Sequence, residues 1–198
     1  MVRSGSREAL IDAATSLLDE RDPSEVTITD VVARAGLTRP TFYAAFGDLP
    51  TVFAEAAAER LAMAFAGEAA PDVPAGQRPE AMRLAILRIL ARVEPHVVFF
   101  RRVLLGHGGH QVQLRIIDLV AGELRENTPV SGALARGPLP LETASAAIAA
   151  GISWAMLQWF ASNEREPIDV LAETLRDLVY HTVIGGLGAD ESNERNDP

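Results

Sequence analysis

The 198-residue sequence predicts an all-α protein of about nine helices, with three short helices first and longer helices behind them. Three observations carry this prediction. Apolar residues recur at three- and four-residue spacing along most of the chain, which is the period of a helix with one buried face. Gly and Pro cluster where that period is interrupted. No segment alternates apolar and polar residues in the way that is typical of a strand.

The composition excludes several classes of protein. Apolar residues make up 48% of the chain and charged residues 23%, which is the balance of a globular protein rather than a disordered one. The absence of Cys excludes disulfides, thiolate metal sites and cysteine nucleophiles. All 18 basic residues are Arg, and 27 acidic residues bring the net charge to −9. This acidity argues against non-specific coating of nucleic acid, although it permits a short, local DNA-reading element.

Three helices are predicted in the first fifty residues. The first covers about residues 5–20. Thr27 caps the second, because a Thr with an acidic residue three positions later, here Asp30, is typical of a capping box. Gly36 ends the second helix, since glycine readily adopts the left-handed conformation that closes a helix. The third helix runs from Arg39 to Phe46.

The second and third helices form a predicted helix-turn-helix, with residues 36–38 as the turn. Arg39, Thr41 and Tyr43 would project from the N-terminal part of the third helix, which is where such units contact base edges and phosphates. Tyr43 has an alternative place against the fourth helix. The apolar side chains expected to hold the two helices together are Val31, Val32, Leu37, Phe42 and Phe46.

A fourth helix is predicted to begin after Asp48, which is placed to cap it, and further helices follow. The predicted spans are about residues 49–68, 79–93, 95–105, 111–126, 141–162 and 167–185. Loops rich in Gly and Pro are predicted at residues 71–76, 106–110 and 127–140, with a frayed polar tail from Gly188 onward.

The segment Thr143–Asn163 has no charged residue and is long enough to span a bilayer. Polar residues such as Ser153 and Gln158 interrupt it, so a helix buried on several sides in a soluble protein is the preferred interpretation. The N-terminus lacks the apolar core of a signal peptide. We therefore expect a cytoplasmic protein with no membrane partner.

Two faces of the predicted helix 141–162 differ in character. One carries Ile148, Ile152, Ala155 and Trp159, and the adjacent one carries Gly151, Trp154 and Gln158. One face is expected to contact a partner subunit and the other a cavity, and the pattern leaves open which is which. The last helix carries an apolar stripe that is expected to be shared with a second subunit. Its members are Leu171, Leu175, Leu178 and Thr182, with Val179 and Val183 beside them.

The run Thr27–Asp48 resembles the DNA-binding signature of TetR-family transcriptional regulators. The best-matched residues are Ala35-Gly36-Leu37-Thr38, Thr41-Phe42-Tyr43 and Phe46, and the similarity is close over residues 6–55. This resemblance implies a helix-turn-helix DNA-binding domain over residues 1–47 and a ligand-binding and dimerisation domain over residues 48–198. It also implies a homodimer joined through the last two helices, and a repressor released from its double-stranded DNA operator by a small molecule.

The expected DNA contacts come from a small set of residues near the turn. They are Arg3, Arg7, Thr27, Thr38, Arg39, Pro40, Thr41 and Tyr43. The sequence departs from the family at Leu49, where a phosphate-contacting Lys is common, and at Ala44 and Ala45, where basic residues or His are common. Residues 1–50 hold five Arg against eight acidic residues, a net charge of −3. We therefore expect few released counterions and a shallow salt dependence of DNA binding.

A largely apolar effector with one or two polar groups is expected from the aromatic, Ala-rich middle helices. The candidate cavity residues are His96, Phe99, Phe100, Gln113, Trp154 and Gln158, and His96 has the alternative of an ordinary interior histidine. No metal or cofactor is expected, because His107 and His110 lack further ligands. No catalytic motif indicates an enzyme. The alternative function is a helical small-molecule-binding or interaction protein with a weak or vestigial DNA reader.

Overall fold

The computed structural model describes residues 2–68, 75–128 and 130–183, and helices are the only regular structure in these ranges. The helices are α1 Val2–Glu20, α2 Ile28–Ala35, α3 Arg39–Ala45, α4 Leu49–Phe65, α5 Arg78–Val93, α6 Val97–Leu105, α7 Gly109–Glu126, α8 Ser131–Ala135, α9 Leu141–Ala161 and α10 Ile168–Thr182. Short 3-10 turns precede α2, α5 and α6. The all-α class is confirmed. Most of the predicted loop 71–76, and the whole tail from Gly188, lie outside the described residues.

The local signals that delimit α2 and α4 are confirmed in atomic detail. The Thr27 hydroxyl accepts a hydrogen bond from the Asp30 backbone N–H at 3.2 Å, and the Asp30 carboxylate accepts one from the Thr27 N–H at 2.9 Å. Gly36 closes α2 with a φ of +66°, in the left-handed region. The Asp48 carboxylate accepts from the Thr51 N–H at 2.9 Å and so caps α4.

One helix lies within a segment predicted to be a loop. Residues 127–140 were expected to be irregular because of their Gly and Pro content, but α8 spans Ser131–Ala135. Val130 and Leu134 are both buried, and the Leu134 N–H donates to the Val130 carbonyl at 2.9 Å. Their four-residue spacing puts both on one side of a helical turn that packs against α7 and α9. This single turn is stabilised by tertiary burial rather than by helix propensity.

Helices α4 and α6 join the first three helices to the rest of the chain, because α1 packs against both. On its other side α4 packs against α5, α6 and α7. Helix α7 lies between α4 and α9, and α10 covers α5 and α9. Side chains from every helix of seven or more residues contribute to one continuous apolar core.

The apolar stripe on α10 is only partly buried inside the subunit, because Leu178 and Thr182 stay partly exposed, and its sharing with a partner remains a prediction. Leu171, Leu175 and Val179 are each less than 5% exposed, where α10 packs against α5 and α9. A short chain provides enough partners for α10 because α5 runs across it.

Helix α9 is the one described helix whose length and composition would allow it to cross a membrane. It packs on α6, α7 and α10, as core helices of soluble proteins do, so this is weak evidence for a span.

Candidate nucleic-acid interface and ligand cavity

Helix α3 is anchored by its apolar side and presents its other side to solvent. Phe42 is fully buried and Phe46, just after α3, is nearly so. Arg39 and Pro40 in the first turn are exposed, and Thr41 is partly exposed. Tyr43 is 56% exposed, and its ring meets the edge of Phe42 at 5.8 Å between centroids. The protein's own body therefore leaves this outer surface open.

Hydrogen bonds among the polar side chains order this surface. The Arg39 guanidinium donates to the Thr29 hydroxyl of α2 at 2.6 Å, which ties the first turn of α3 to the preceding helix. The hydroxyls of Thr38 and Thr41 lie 2.9 Å apart. Thr38, Arg39, Thr41 and Tyr43 thus share one exposed surface at the N-terminus of α3, where the helix dipole favours an anion.

Other arginines near this surface are paired with carboxylates inside the protein. Arg34 makes two hydrogen bonds of 3.0 Å to Glu20, and these lower the pKa of Glu20. Arg21 lies 3.8 Å from Asp30. Arg39 differs, because its described hydrogen-bond partner is a neutral hydroxyl. Its positive charge is therefore the least compensated among the described arginine side chains of α1 to α3.

Two of the expected DNA contacts, Thr27 and Arg7, are engaged by carboxylates within the protein. The Thr27 hydroxyl donates to the Asp30 carboxylate at 2.7 Å, so it serves the capping box and lowers the pKa of Asp30. Arg7 pairs with Glu55 of α4 at 3.3 Å and lies over the Phe46 ring, with its guanidinium carbon 4.8 Å from the ring centroid. The side chain of Arg3 lies outside the described part of the chain.

Glu55 connects three helices through charge-assisted hydrogen bonds. Its carboxylate accepts from Arg115 of α7 at 2.9 Å and also lies 3.3 Å from Arg7 of α1. Burial alone would raise the pKa of Glu55, but the two guanidinium groups outweigh burial and lower it. No sequence pattern predicts this link, because Glu55 and Arg115 are 60 residues apart.

A cavity of about 160 Å³ lies among α4, α5, α6, α7, α9 and α10. Its walls are mainly Leu, Ile, Val, Met and Phe side chains. Of the six candidate cavity residues, Phe100 and Gln113 line it. The stacked rings of Phe100 and Phe160, 5.2 Å apart, form part of one wall. A concave, largely apolar space with a few polar groups is typical of a small-molecule site.

The other four candidates do not line this cavity. Phe99 is buried beneath the Arg60 guanidinium, whose carbon lies 4.1 Å from the ring centroid. Trp154 and Gln158 are exposed on the outer side of α9, and Trp154 is 59% exposed. His96 is partly buried in the turn before α6. Phe99 and Phe100 point about 100° apart on α6 and are both buried, so helical periodicity does not identify which ring faces the cavity.

Ser153 is a polar residue of the cavity, and the sequence pattern marks it only as an interruption of an apolar helix. It lines the cavity and is 6% exposed, and its hydroxyl has no hydrogen-bond partner. Glu68 also lines the cavity, and its nearly buried carboxylate is held by Arg88 and Arg92 at 2.9 Å each. The helical period contains a usable signal, because Ser153 lies eight residues from the buried Ser145 and therefore on the same face.

These features define a helix-turn-helix DNA-binding protein with an exposed recognition helix and a larger helical body. Residues 10–56 match the family model of the bacterial regulatory proteins of the tetR family. The fold is similar to that of the TetR family repressor AlkX from Dietzia sp. strain DQ12-45-1b, with a TM-score of 0.58 and 20% identity over 91% of this chain and 96% of that one.

A tetR-family transcriptional regulator from Streptomyces coelicolor is also similar, with a TM-score of 0.54 and 19% identity over 91% of this chain and 80% of that one. Comparison with curated proteins gives no match. At these identities the structural likeness establishes the fold, and the family model identifies the N-terminal segment. The chain therefore carries a TetR-family DNA-binding domain on the fold of TetR-family transcriptional regulators, which are DNA-binding regulators and not enzymes.

Proposed function

We propose that the protein is a cytoplasmic, homodimeric repressor that leaves its DNA operator when a small apolar molecule occupies the cavity. In this proposal residues 1–47 read DNA, and residues 48–198 bind the effector and dimerise. The observation that carries the proposal is the apolar cavity, which is bordered by α4, the helix that also contacts the DNA-reading unit. Helix α4 thus contacts both the proposed effector site and the DNA-reading helices.

The DNA contact is proposed to centre on Arg39 and Tyr43. Arg39→Ala should weaken operator binding by roughly ten-fold or more per half-site, since a base or phosphate contact contributes about 1–3 kcal/mol. Tyr43→Phe removes only the hydroxyl and should weaken binding less. Arg136→Ala is the matched control, because it removes an exposed arginine from the helical body. Fluorescence anisotropy with DNA from the protein's own upstream region measures these affinities, and equal affinities for Arg39→Ala and the control would contradict the proposed contact.

The partner face is proposed to be the outer side of α9. Exposed residues recur there at helical spacing, namely Thr143, Ala146, Ala147, Ala150, Trp154 and Gln158. The alanines allow another helix to approach closely, and Trp154, which is 59% exposed, offers a large apolar surface. This assigns the outer face to the partner subunit and the inner face, which includes Ile152, to the cavity.

Light scattering on the purified chain tests this interface. Trp154→Glu should convert a dimer into a monomer, because it places a charge in the centre of an apolar contact. Met63→Glu is the matched control, since Met63 is an equally exposed apolar residue on α4. A monomeric wild type, or a Trp154→Glu variant that remains dimeric, would remove this interface from the proposal.

Effector binding is proposed to reach α3 through the helices that contact Glu55. Gln113 and Ile116 line the cavity, and Arg115 in the same turn of α7 holds Glu55 of α4. Glu55 in turn holds Arg7, which lies over Phe46 at the end of α3. A bound molecule that shifts α7 against α4 would therefore change the spacing of the two recognition helices, which must lie about 34–36 Å apart, one turn of DNA.

Binding linkage supplies the test of the repressor mechanism. If a compound such as decan-1-ol lowers DNA affinity by some factor, then saturating operator DNA must lower the affinity for decan-1-ol by the same factor. Anisotropy titrations of DNA with and without the alcohol, and of the alcohol with and without DNA, measure both factors. Simultaneous binding of both without mutual effect would contradict release by an effector and leave an uncoupled DNA-binding protein.

A further inference from the structure

We propose that the effector is an uncharged apolar molecule with a single hydrogen-bonding group, and that the Ser153 hydroxyl binds this group inside the cavity. The inference rests on the proposal that the cavity is the effector site. It adds the chemical class of the effector and the residue that selects for it.

The first argument is the unsatisfied hydroxyl of Ser153. Buried polar groups in proteins almost always have a hydrogen-bond partner, and an exception requires an explanation. Ser145 on the same face of α9 is a direct comparison, because it is buried and fully engaged. Its hydroxyl donates to the Glu142 carbonyl at 3.1 Å and accepts from Arg125 at 3.1 Å. Ser153 makes neither kind of bond and lines the cavity. An oxygen atom of a ligand bound in the cavity would be that hydrogen-bond partner.

The second argument concerns charge. The described residues that line the cavity include two carboxylates, Glu68 and Glu123, and no Arg or His. A ligand carboxylate or phosphate would therefore have no cationic partner there. Arg88 and Arg92 lie outside the lining and are engaged by Glu68, and Glu123 accepts a hydrogen bond from Asn127 at 2.9 Å. The polar lining therefore disfavours an anion.

A cation is disfavoured by the position of Ser153. Ser145 marks the end of α9 that faces Arg125, two residues from Glu123 on α7. Ser153 lies eight residues further along α9, which is about 12 Å at the helical rise. The lining side chains next to it on α9 are Ile152 and Met156, which are apolar. A charged group placed at Ser153 would be buried without a partner, which is far more costly than burying a hydroxyl or carbonyl.

The cavity volume sets the size of the molecule. A volume of about 160 Å³ is close to that of a cavity of about 150 Å³ that holds a six-carbon ring. The cavity is partly open to solvent, so a chain of ten carbon atoms can place its terminal group inside and extend its other end outward. Decane, decan-1-ol, decanoate and decylammonium therefore form a matched series that differs only in the terminal group.

The experiment titrates each of these four compounds into the full-length wild type, Ser153→Ala and Ser145→Ala. We expect wild type to bind decan-1-ol about ten-fold more tightly than decane, decanoate or decylammonium. Ser153→Ala should bind decane as wild type does and bind decan-1-ol no more tightly than decane. Ser145→Ala should keep the wild-type preference, because its hydroxyl is not in the cavity. Circular dichroism melts establish that both variants are folded.

Several results would overturn the inference. They are a preference for the alcohol that survives Ser153→Ala, tightest binding of the anion or the cation, and no binding of decan-1-ol to wild type. The proposed function fails separately. If decan-1-ol binds through Ser153 but leaves the DNA affinity unchanged, the ligand class stands and the repressor mechanism does not. If decane and decan-1-ol bind equally and both release DNA, the mechanism stands and the role of Ser153 does not.

Discussion

Replacing Glu55 with Gln tests the contact between the helical body and the DNA reader. The amide keeps the size of the side chain but removes the charge that Arg7 and Arg115 share. Exposed ion pairs contribute up to about 1 kcal/mol each, while hydrogen bonds to charged groups contribute about 1.5–3 kcal/mol. The side chains of Arg7 and Arg115 are both more than a third exposed, so the value for exposed ion pairs, up to about 1 kcal/mol each, applies to them. Because the Glu55 carboxylate that both pairs share is only 21% exposed, each pair falls in the upper half of that range, and the two together give an expected loss of about 1–2 kcal/mol.

The pH dependence of this loss has a defined sign. The pKa of Glu55 is lower in the folded protein than the ordinary value of 4.5, because the two guanidinium groups outweigh burial. A carboxylate of this kind stabilises the fold above its unfolded pKa, and the contribution disappears as the pH falls through the folded pKa. The difference in stability between wild type and Glu55→Gln should therefore be full at pH 7 and shrink below pH 4.5.

Thermal melts and DNA titrations measure the two consequences of Glu55→Gln. A loss of 1 kcal/mol lowers the Tm of a protein of this size by about 2–4 °C, so a fall of about 2–8 °C is expected at pH 7. The effect of decan-1-ol on DNA affinity should also weaken, because α7 loses its polar link to α4 and α1. Glu80→Gln is the control, since it breaks a single exposed pair with Arg83 within α5. A variant with wild-type Tm would refute the energetic argument, and one with unchanged coupling to DNA would refute the proposed route.

Three further predictions follow from the same contacts. Gly36→Ala should lower stability by about 1–2 kcal/mol, because alanine is strained at a φ of +66°. Gly5→Ala within α1 should instead raise stability by about 0.5–1 kcal/mol, because the added methyl meets nothing within 4 Å. Urea titrations in which the two variants change stability in the same direction would contradict this reasoning. Glu59→Gln should raise the Tm slightly at pH 7 and not below pH 4.5, because burial and the nearby Asp12 and Glu8 raise the pKa of Glu59 and its ionised form costs stability; an equal Tm at pH 7 would contradict it. The slope of log affinity against log salt should be about −2 for a dimer in which Arg39 is the phosphate-contacting arginine of each subunit, and a slope near −10 would show many more contacts.

The sequence predicts the DNA-reading unit well because its determinants are local. The Thr27 capping box and the Gly36 turn each involve residues within a few positions of one another, and the structure contains both. Helix α8 escaped prediction because its stability comes from burying Val130 and Leu134 against distant helices. Propensity alone carries no information about such contacts.

The cavity was harder to predict, because helical periodicity identifies buried faces but not the space between them. The pattern on α9 separates a face with the buried Ile148 and Trp159 from one with the exposed Trp154 and Gln158, yet only the packing of α7 and α10 decides which one turns inward. The stripe on α10 illustrates the same limit. Its period predicts burial, but a stripe buried by α5 has the same sequence as one buried by a second subunit.

The net charge of −9 is compatible with DNA binding because of how the arginines near α3 are paired. Arg7, Arg21 and Arg34 are each within 4 Å of a carboxylate from another helix or turn, so they stabilise the fold and add little positive potential outside it. Arg39 is held by a hydroxyl and keeps its charge at the exposed N-terminus of α3. Because Coulombic interactions with phosphate fall off within about 10 Å at ordinary salt, the charges near α3 matter more than the sum over the chain. An acidic protein can therefore bind DNA, provided that its carboxylates near the recognition helix are paired with arginines and that one arginine without a carboxylate partner lies on the DNA-facing surface.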